Sequence, residues 1–233
     1  AIWSSRSNFW LIVNFVDVLP GSIILFLIFK YMEERHNVGA GAVNVALAAV
    51  VAAGALGALV FGRLGDLGFR RDKRARVWTA LACNAAPAGF MVLFLGSRVR
   101  VGDAAGLAEI LSSPGMAGLI LTVAAAMFIN QGVNPNWYAS LTDVNLPEHR
   151  AAMISAASVM DLAGNALGPL IASYLATIWG IRTAMSSVVV FWALNVAFWF
   201  PVLRHVRGDI EKVHTLLDVR AEDLKRSFSS DAR

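Results

Sequence analysis

The chain holds 233 residues, 57% of them hydrophobic and only 15% charged, with a mean hydropathy of +0.60. An ordinary soluble domain carries about 25% charged and about 45–50% apolar residues, so that class is excluded, as are a disordered chain and a fibrous repeat. The net charge of +4 is no nucleic-acid signature, because the basic residues cluster between long apolar runs.

Each bilayer crossing needs about 20 mostly apolar residues, and the runs at 9–31, 39–62, 77–97, 117–141, 152–179 and 183–203 meet that length. Helix is the only open choice, since barrel strands would be about 10 residues long and half polar. The expected architecture is an all-α membrane protein: a six-transmembrane-helix bundle over residues 1–204, then a cytoplasmic polar tail over 205–233. If the spans alternate, fifteen of the 20 Lys and Arg residues fall on one side and five on the other. The positive-inside rule then places both termini of this segment in the cytoplasm. The expected location is the plasma (inner) membrane, with the lipid bilayer as the first partner. The tail carries six basic and six acidic residues, too balanced for a lipid anchor. Ile210, Val213, Leu217 and Leu224 share a helical face there, which predicts a short surface helix that frays before Ser229. Cys83 is the single cysteine, and His36, His149, His205 and His214 lie outside the apolar runs without ligand spacing. No disulfide, metal site or bound cofactor is expected. The chain opens on Ala1, with no signal peptide ahead of the first span, which fits a segment that begins mid-gene.

Charged residues inside a span cost about 2.5–3.5 kcal/mol each on insertion scales, so each needs a reason. Asp17 lies in the first span, three residues before Pro20-Gly21. Proline removes a backbone donor there and loosens the helix, and the carbonyls so freed can face a cavity. Asp161 lies in the fifth span with Asn165 one turn later on the same face. A cation, proton or substrate site and simple interhelical packing both fit these carboxylates. The fourth span carries Asn130, Gln131, Asn134 and Asn136, then Trp137 and Tyr138, with Pro135 arguing for a break. Asn130 and Asn134 share a face, and amides both donate and accept, which suits a polar substrate. Trp137 and Tyr138 are expected as interface anchors, and Asn44, Asn84 and Asn195 as interhelical glue. Gly164 and Gly168, four apart and followed by Pro169, fit close packing or a hinge equally well.

Between the second and third spans stands Gly62-Arg-Leu-Gly-Asp66-Leu-Gly-Phe-Arg70-Arg71, followed by Asp72-Lys-Arg-Ala-Arg76. Topology alone would ask for positive charge here, but not for Gly62, Asp66 four residues on, and Arg70-Arg71 after that. This resembles the signature cytoplasmic loop of the major facilitator superfamily. Leu67 stands where that pattern has a basic residue, and Phe69 where it has glycine; Arg63 is a candidate for the missing charge. Asp143-Val-Asn-Leu-Pro147-Glu148-His149-Arg150 is similar to the connector before the eleventh helix of many facilitators. Gly164, Gly168 and Pro169 are similar to the glycine-glycine-proline pattern within that helix, and Trp3 to Asn8 to the entry of the seventh.

The resemblance implies half of a twelve-helix fold, the C-terminal six-helix half, with the N-terminal half supplied most simply by the same chain. It implies that the signature aspartate caps a neighbouring helix and pairs with arginine, steadying one gate state. It further implies a secondary active transporter that moves a small-molecule substrate by alternating access. In such a fold the first and fourth spans line the cavity. Asn14, Asp17, Asn130, Gln131, Asn134, Asp161 and Asn165 are therefore the candidate pathway residues, with a proton or sodium ion as the candidate coupling ion and Asp17 as its carrier. Gly62, Asp66, Arg70 and Arg71 are the candidate gate, and Pro20, Gly164, Gly168 and Pro169 the candidate hinge and packing positions. Two other classes compete. A receptor or assembly scaffold with a facilitator fold would bind without transporting. An intramembrane aspartyl enzyme would pair Asp17 with Asp161, but the glycine-x-glycine-aspartate signature is absent around both.

Overall fold

The computed structural model describes residues 5–101, 108 and 112–231. Trp3 and Ser4, the start of the expected entry motif, lie outside the described residues. Among those described, six helical segments are long and apolar enough to cross a membrane. The first span is α1 (Arg6–Val13), a 3-10 turn (Phe15–Asp17) and α2 (Leu19–His36). The second is α3 (Ala40–Phe69) and the third α4 (Ala75–Gly96). The fourth is α5 (Pro114–Asn130) and α6 (Val133–Asp143). The fifth is α7 (Pro147–Trp179) and the sixth α8 (Ile181–Asp231). The protein is an all-α, multi-pass membrane bundle.

Two spans are broken, and each break sits four residues before a proline. A proline ring clashes with the carbonyl of residue i−4 and offers it no N–H. For Pro20 that carbonyl belongs to Val16, inside the 3-10 turn, where the Asp17 N–H turns back to the Asn14 carbonyl at 3.1 Å. For Pro135 it belongs to Gln131, between α5 and α6. Pro114 and Pro147 lie in the first turns of α5 and α7, where no N–H is needed, whereas Pro87, Pro169 and Pro201 stand inside α4, α7 and α8, which run on past them. Asn37, at φ 59°, closes α2 with N–H bonds back to Glu33 and Met32, and Gly180, at φ 81°, reverses the chain between α7 and α8.

The signature segment is mostly helix rather than loop. α3 runs on through Gly62 and Asp66 to Phe69, leaving 70–74 as the connector. The polar tail likewise does not form a separate short helix. α8 continues unbroken from Ile181 to Asp231, 51 residues, or roughly 75 Å at the standard rise. Its residues Val206, Ile210 and Val213 are buried. The apolar face that Val206 and Ile210 present joins one buried cluster with Leu11 and Ile12 of α1 and with Val144 at the end of the fourth span.

Close packing pairs α3 with the fourth span and α7 with the first. A Cβ at Gly57 would overlap the Phe128 carbonyl, one at Gly65 the Asn136 amide oxygen, and one at Gly62 would lie 3.2 Å from Pro135. On the other side, a Cβ at Gly164 would meet Val18 and the Phe15 carbonyl, and one at Gly168 the Ser22 hydroxyl. Gly164 and Gly168 are therefore packing glycines that seat α7 against the break in the first span. α4 and α8 fill the interior between these pairs. Buried side chains form two clusters stacked along the bundle. One includes Ile23, Tyr31, Phe94, Met116, Met185 and Trp192. The other includes Leu11, Val77, Cys83, Trp137, Trp199 and Ile210.

Gly57→Leu is expected to destabilise the bundle by about 1–3 kcal/mol through overpacking, whereas Gly41→Leu, with open space around its Cβ, is expected to be neutral. Thermal unfolding of the two variants in detergent checks the difference.

Candidate functional site

Three polar assemblies occupy the bundle. The first lies between the two apolar clusters, at the break in the first span. Asn195 on α8 donates from Nδ2 to the Asp17 carboxylate and also faces Asn84 on α4 at 2.7 Å. With the Asn84 amide turned end for end, its Nδ2 donates to Asp17 at 3.1 Å and its Oδ1 accepts from Trp199 Nε1 at 2.9 Å. Asp17 thus ties three helices together. Asn84 and Asn195, expected to act only as glue, are its partners. Asn14 ends α1 on the same break and is 5% exposed. Asp161 on α7 is half-buried. Asn165 is exposed and folds its amide back onto the Asp161 carbonyl at 3.0 Å.

The second assembly follows the break in the fourth span. Asn134 Nδ2 donates to Gln131 Oε1 at 3.2 Å, and Gln131 Nε2 lies 3.7 Å from Met127 Sδ. Asn130 lines an otherwise apolar cavity of about 100 Å³ with Ile24, Phe94 and Trp192 among its walls. No hydrogen bond among the described residues joins these three amides to Asp17. Asn136 turns the other way, donating to the Phe61 and Gly132 carbonyls, and so locks the fourth span to α3. Trp137, expected as an interface anchor, is buried at 4% exposure and donates to the Leu11 carbonyl at 2.9 Å. Its indole satisfies a carbonyl of α1 near the break, a packing role that outweighs the interface preference.

The third assembly stands at the end of the bundle that carries both chain termini. Arg76, in the first turn of α4, reaches Asp66 on α3 with Nη2 at 2.7 Å and Nε at 3.2 Å. Its Nη1 pairs with Asp143, the last residue of α6. The guanidinium also stacks on Phe69, 4.1 Å from the ring centre. One arginine thus clamps the second, third and fourth spans. Arg70, Arg71 and Arg63 are exposed and take no part in an ion pair among the described residues. The reason is geometric. Asp66 sits on the helix, and the next chain segment to return past it is α4, so the arginine ten residues on reaches it. Asp66 does not cap α4; Asp72 binds the Arg74 N–H at 2.9 Å instead.

Around this clamp, Arg150 holds the Thr142 and Asn145 carbonyls at 3.1 and 3.3 Å. Asn8 and Asn145 bond each other through their amides at 2.7 Å. Asp209 on α8 accepts from the Ser7 N–H and from the Ser5 and Ser7 hydroxyls, capping α1. Arg220 reaches Glu148 at 2.6 Å. Sequence reasoning had missed Arg76, Asp143 and Asp209 as functional positions. Arg76 and Asp143 stand in the two segments that resemble the family, but nothing local marks them as each other's partners, and Asp209 is one of many charges in the tail. The opposite end is fastened at main-chain carbonyls: the Val101 N–H bonds the His36 carbonyl at 3.2 Å, and the His36 ring Nδ1 bonds the Val99 carbonyl at 2.7 Å.

A family model described as the Major Facilitator Superfamily matches residues 10–230, and the chain belongs to that superfamily. No curated protein and no solved structure matches the chain.

Asp143→Asn is expected to loosen the terminal end more than Asp66→Asn. Asp143 and Arg76 are 21% and 16% exposed, whereas Asp66 is 63% exposed, and exposed pairs contribute only about 0–1 kcal/mol. A double-mutant cycle with Arg76→Gln, read by thermal unfolding, checks that the Arg76–Asp143 coupling is the larger.

Proposed function

We propose that this chain, a transporter of the major facilitator type, forms one six-helix half of a secondary transporter that moves a small solute by alternating access, coupled to a cation at Asp17. The observation that carries this reading is the placement of Asp17. A carboxylate sits within a span, at a helix break, held by amides from two other helices. Packing alone does not need a charge there, because an asparagine would make the same cross-links. A charge that comes and goes with a bound cation, in contrast, changes the relative energy of two conformations.

The remaining geometry supports the same cycle. The breaks in the first and fourth spans put irregular backbone inside the membrane, which is tolerated only where it is covered by protein or lines a water-filled path. The amides of Asn130, Gln131 and Asn134 offer donors and acceptors along the second break. Arg76 and its two carboxylates form one closure, and the His36 latch forms another at the far end. In the proposed cycle one closure opens while the other holds, which is the requirement of alternating access. A second six-helix half, from the same polypeptide, would face the exposed surfaces of the first, fourth and fifth spans. The positive charge at the terminal end supports a cytoplasmic placement of both termini, in a plasma (inner) membrane.

Two measurements test this. In vesicles carrying the reconstituted full-length transporter, Asp17→Asn is expected to abolish solute accumulation driven by an ion gradient. Movement of the solute down its own gradient is expected to survive, because the asparagine still accepts from Asn195. Gradient-driven accumulation that persists unchanged would sink the coupling role. For topology, a cysteine at Thr215, in a background where Cys83, buried here, and any other native cysteine are replaced, is expected to react with an impermeant maleimide in inside-out vesicles and not in right-side-out ones. The opposite pattern would invert the orientation.

A further inference from the structure

A groove of about 480 Å³ runs along the bundle surface between α3 and α4. Phe61 and Leu64 of α3 form one wall, Trp78, Ala82 and Ala86 of α4 the other, and Ile129 of α5 lines it between them. The Thr79 hydroxyl in the lining is spent on the Ala75 carbonyl of its own helix at 2.9 Å, so the groove offers a guest hydrocarbon contact. From Trp78 to Ala86 its wall runs about 12 Å at the standard rise, close to the depth of one leaflet in a hydrocarbon core of about 30 Å. The two helices meet beyond the Trp78 end, where a Cβ at Gly68 would lie 2.8 Å from that of Ala75. Basic side chains crowd that end. The connector 70–74 carries Arg70, Arg71, Lys73 and Arg74 against Asp72, while Asp66 and Asp143 are taken by Arg76. Arg74 stands at the head of the α4 wall, its carbonyl accepting the Trp78 N–H one turn on at 3.0 Å. Its Nε is buried and makes no hydrogen bond, although buried donors are normally paired.

We propose that this groove binds one anionic phospholipid from the leaflet on the side of the chain termini, with its phosphate on Arg71 and Arg74 and an acyl chain along Leu64, Trp78 and Ala82. A guanidinium pairs a phosphate through parallel N–H bonds, and a phosphate there gives Arg74 the acceptor that the protein does not supply. Arg71 is exposed and free to join it. A zwitterionic headgroup brings its own ammonium into a segment that already holds excess positive charge, so charge complementarity selects the anionic one. A free phosphate leaves the apolar walls bare, whereas a phospholipid covers walls and charges together. Trp78 is exposed between the two regions, the headgroup-level position that an amphipathic ring favours. Topology asks only for positive charge at this end. It does not ask for a buried guanidinium nitrogen without a partner at the head of an apolar groove. A lipid held there bridges α3 and α4, two of the helices that Arg76 also joins. The site involves no group of the Asp17 hub and stands whether or not Asp17 couples transport.

The test uses the intact protein in detergent, given phosphatidylglycerol or phosphatidylcholine at equal mole fraction. Bound lipid is counted by native mass spectrometry, and stability is read by thermal unfolding. Phosphatidylglycerol is expected to stay bound at levels where phosphatidylcholine is lost, and to raise the unfolding midpoint saturably. Arg71→Gln combined with Arg74→Gln is expected to raise the half-saturating phosphatidylglycerol about fivefold or more. Arg71→Gln alone, at an exposed residue, is expected to shift it in the same direction by less, which keeps the test open if the double variant does not fold. Ala82→Trp, at an exposed wall position, is expected to fold as the parent does and to weaken binding by filling the groove with the arginines untouched. Arg226→Gln, far along the tail, is expected to bind as the parent does. Equal retention of phosphatidylcholine, or phosphatidylglycerol binding indifferent to either the arginine variants or Ala82→Trp, would overturn the site. A midpoint raised as much by inorganic phosphate at equal ionic strength would also overturn it, by showing a free-anion site in place of a lipid one.

Discussion

A carboxylate placed inside a bilayer must be held, because leaving it to hydrocarbon costs several kcal/mol even on the mildest scales. In this protein that requirement organises the centre of the bundle. Asp17 draws Asn195 from the sixth span and Asn84 from the third, and Trp199 closes the far side of the pair. These groups form the polar layer between two apolar clusters. The glycine pair on α7 brings the fifth span onto the same turn. The crossing geometry of four of the six spans is therefore set at one carboxylate.

The break that positions Asp17 and the packing that supports it have one cause. Pro20 cannot serve the Val16 carbonyl, so the chain turns tighter and the first span divides. A divided span has less helical hydrogen bonding of its own and depends on neighbours. α7 supplies them by direct backbone approach, which a side chain at Gly164 would prevent. The fourth span repeats this logic. Pro135 divides it at Gln131, Gly132 admits Phe61 and the Cys83 sulfur, and Asn136 fastens the divided span to α3. The two broken spans, one from each close-packed pair, thus carry the polar groups that a solute or ion could meet.

The clamp at the terminal end works on different physics. Arg76 is half sunk among Phe69, Asp66 and Asp143, where charge attraction is stronger than on an open surface. A planar guanidinium suits two carboxylates and an aromatic face at once. Its partners belong to three spans, so separating any of them breaks a charge-assisted bond. The latch at His36, Val99 and Val101 is built from hydrogen bonds to main-chain carbonyls, one from a main-chain N–H and one from the His36 ring. The bundle is therefore fastened by ion pairs at one end and by hydrogen bonds to main-chain carbonyls at the other.

Much of this was legible in the residues. Composition and run length determined the membrane class and the number of spans, because the bilayer imposes one length scale on every crossing. Both breaks lie four residues before a proline, but Pro87, Pro169 and Pro201 stand inside continuous helices, so proline position alone did not decide where a span divides. The Gly62 to Arg71 segment pointed to the superfamily. The tertiary structure alone decided which polar groups meet. Asn84 and Asn195 are 67 and 178 residues from Asp17, and no local periodicity distinguishes them from other amides within spans. Arg76 outcompeted Arg70 and Arg71 for Asp66 because α3 stays helical to Phe69 and turns the nearer arginines outward. The tail became part of a continuous sixth helix because Val206 and Ile210 found α1 and the end of the fourth span to cover them. Local chemistry is written along the chain, whereas partnership between distant side chains depends on the register in which six helices pack.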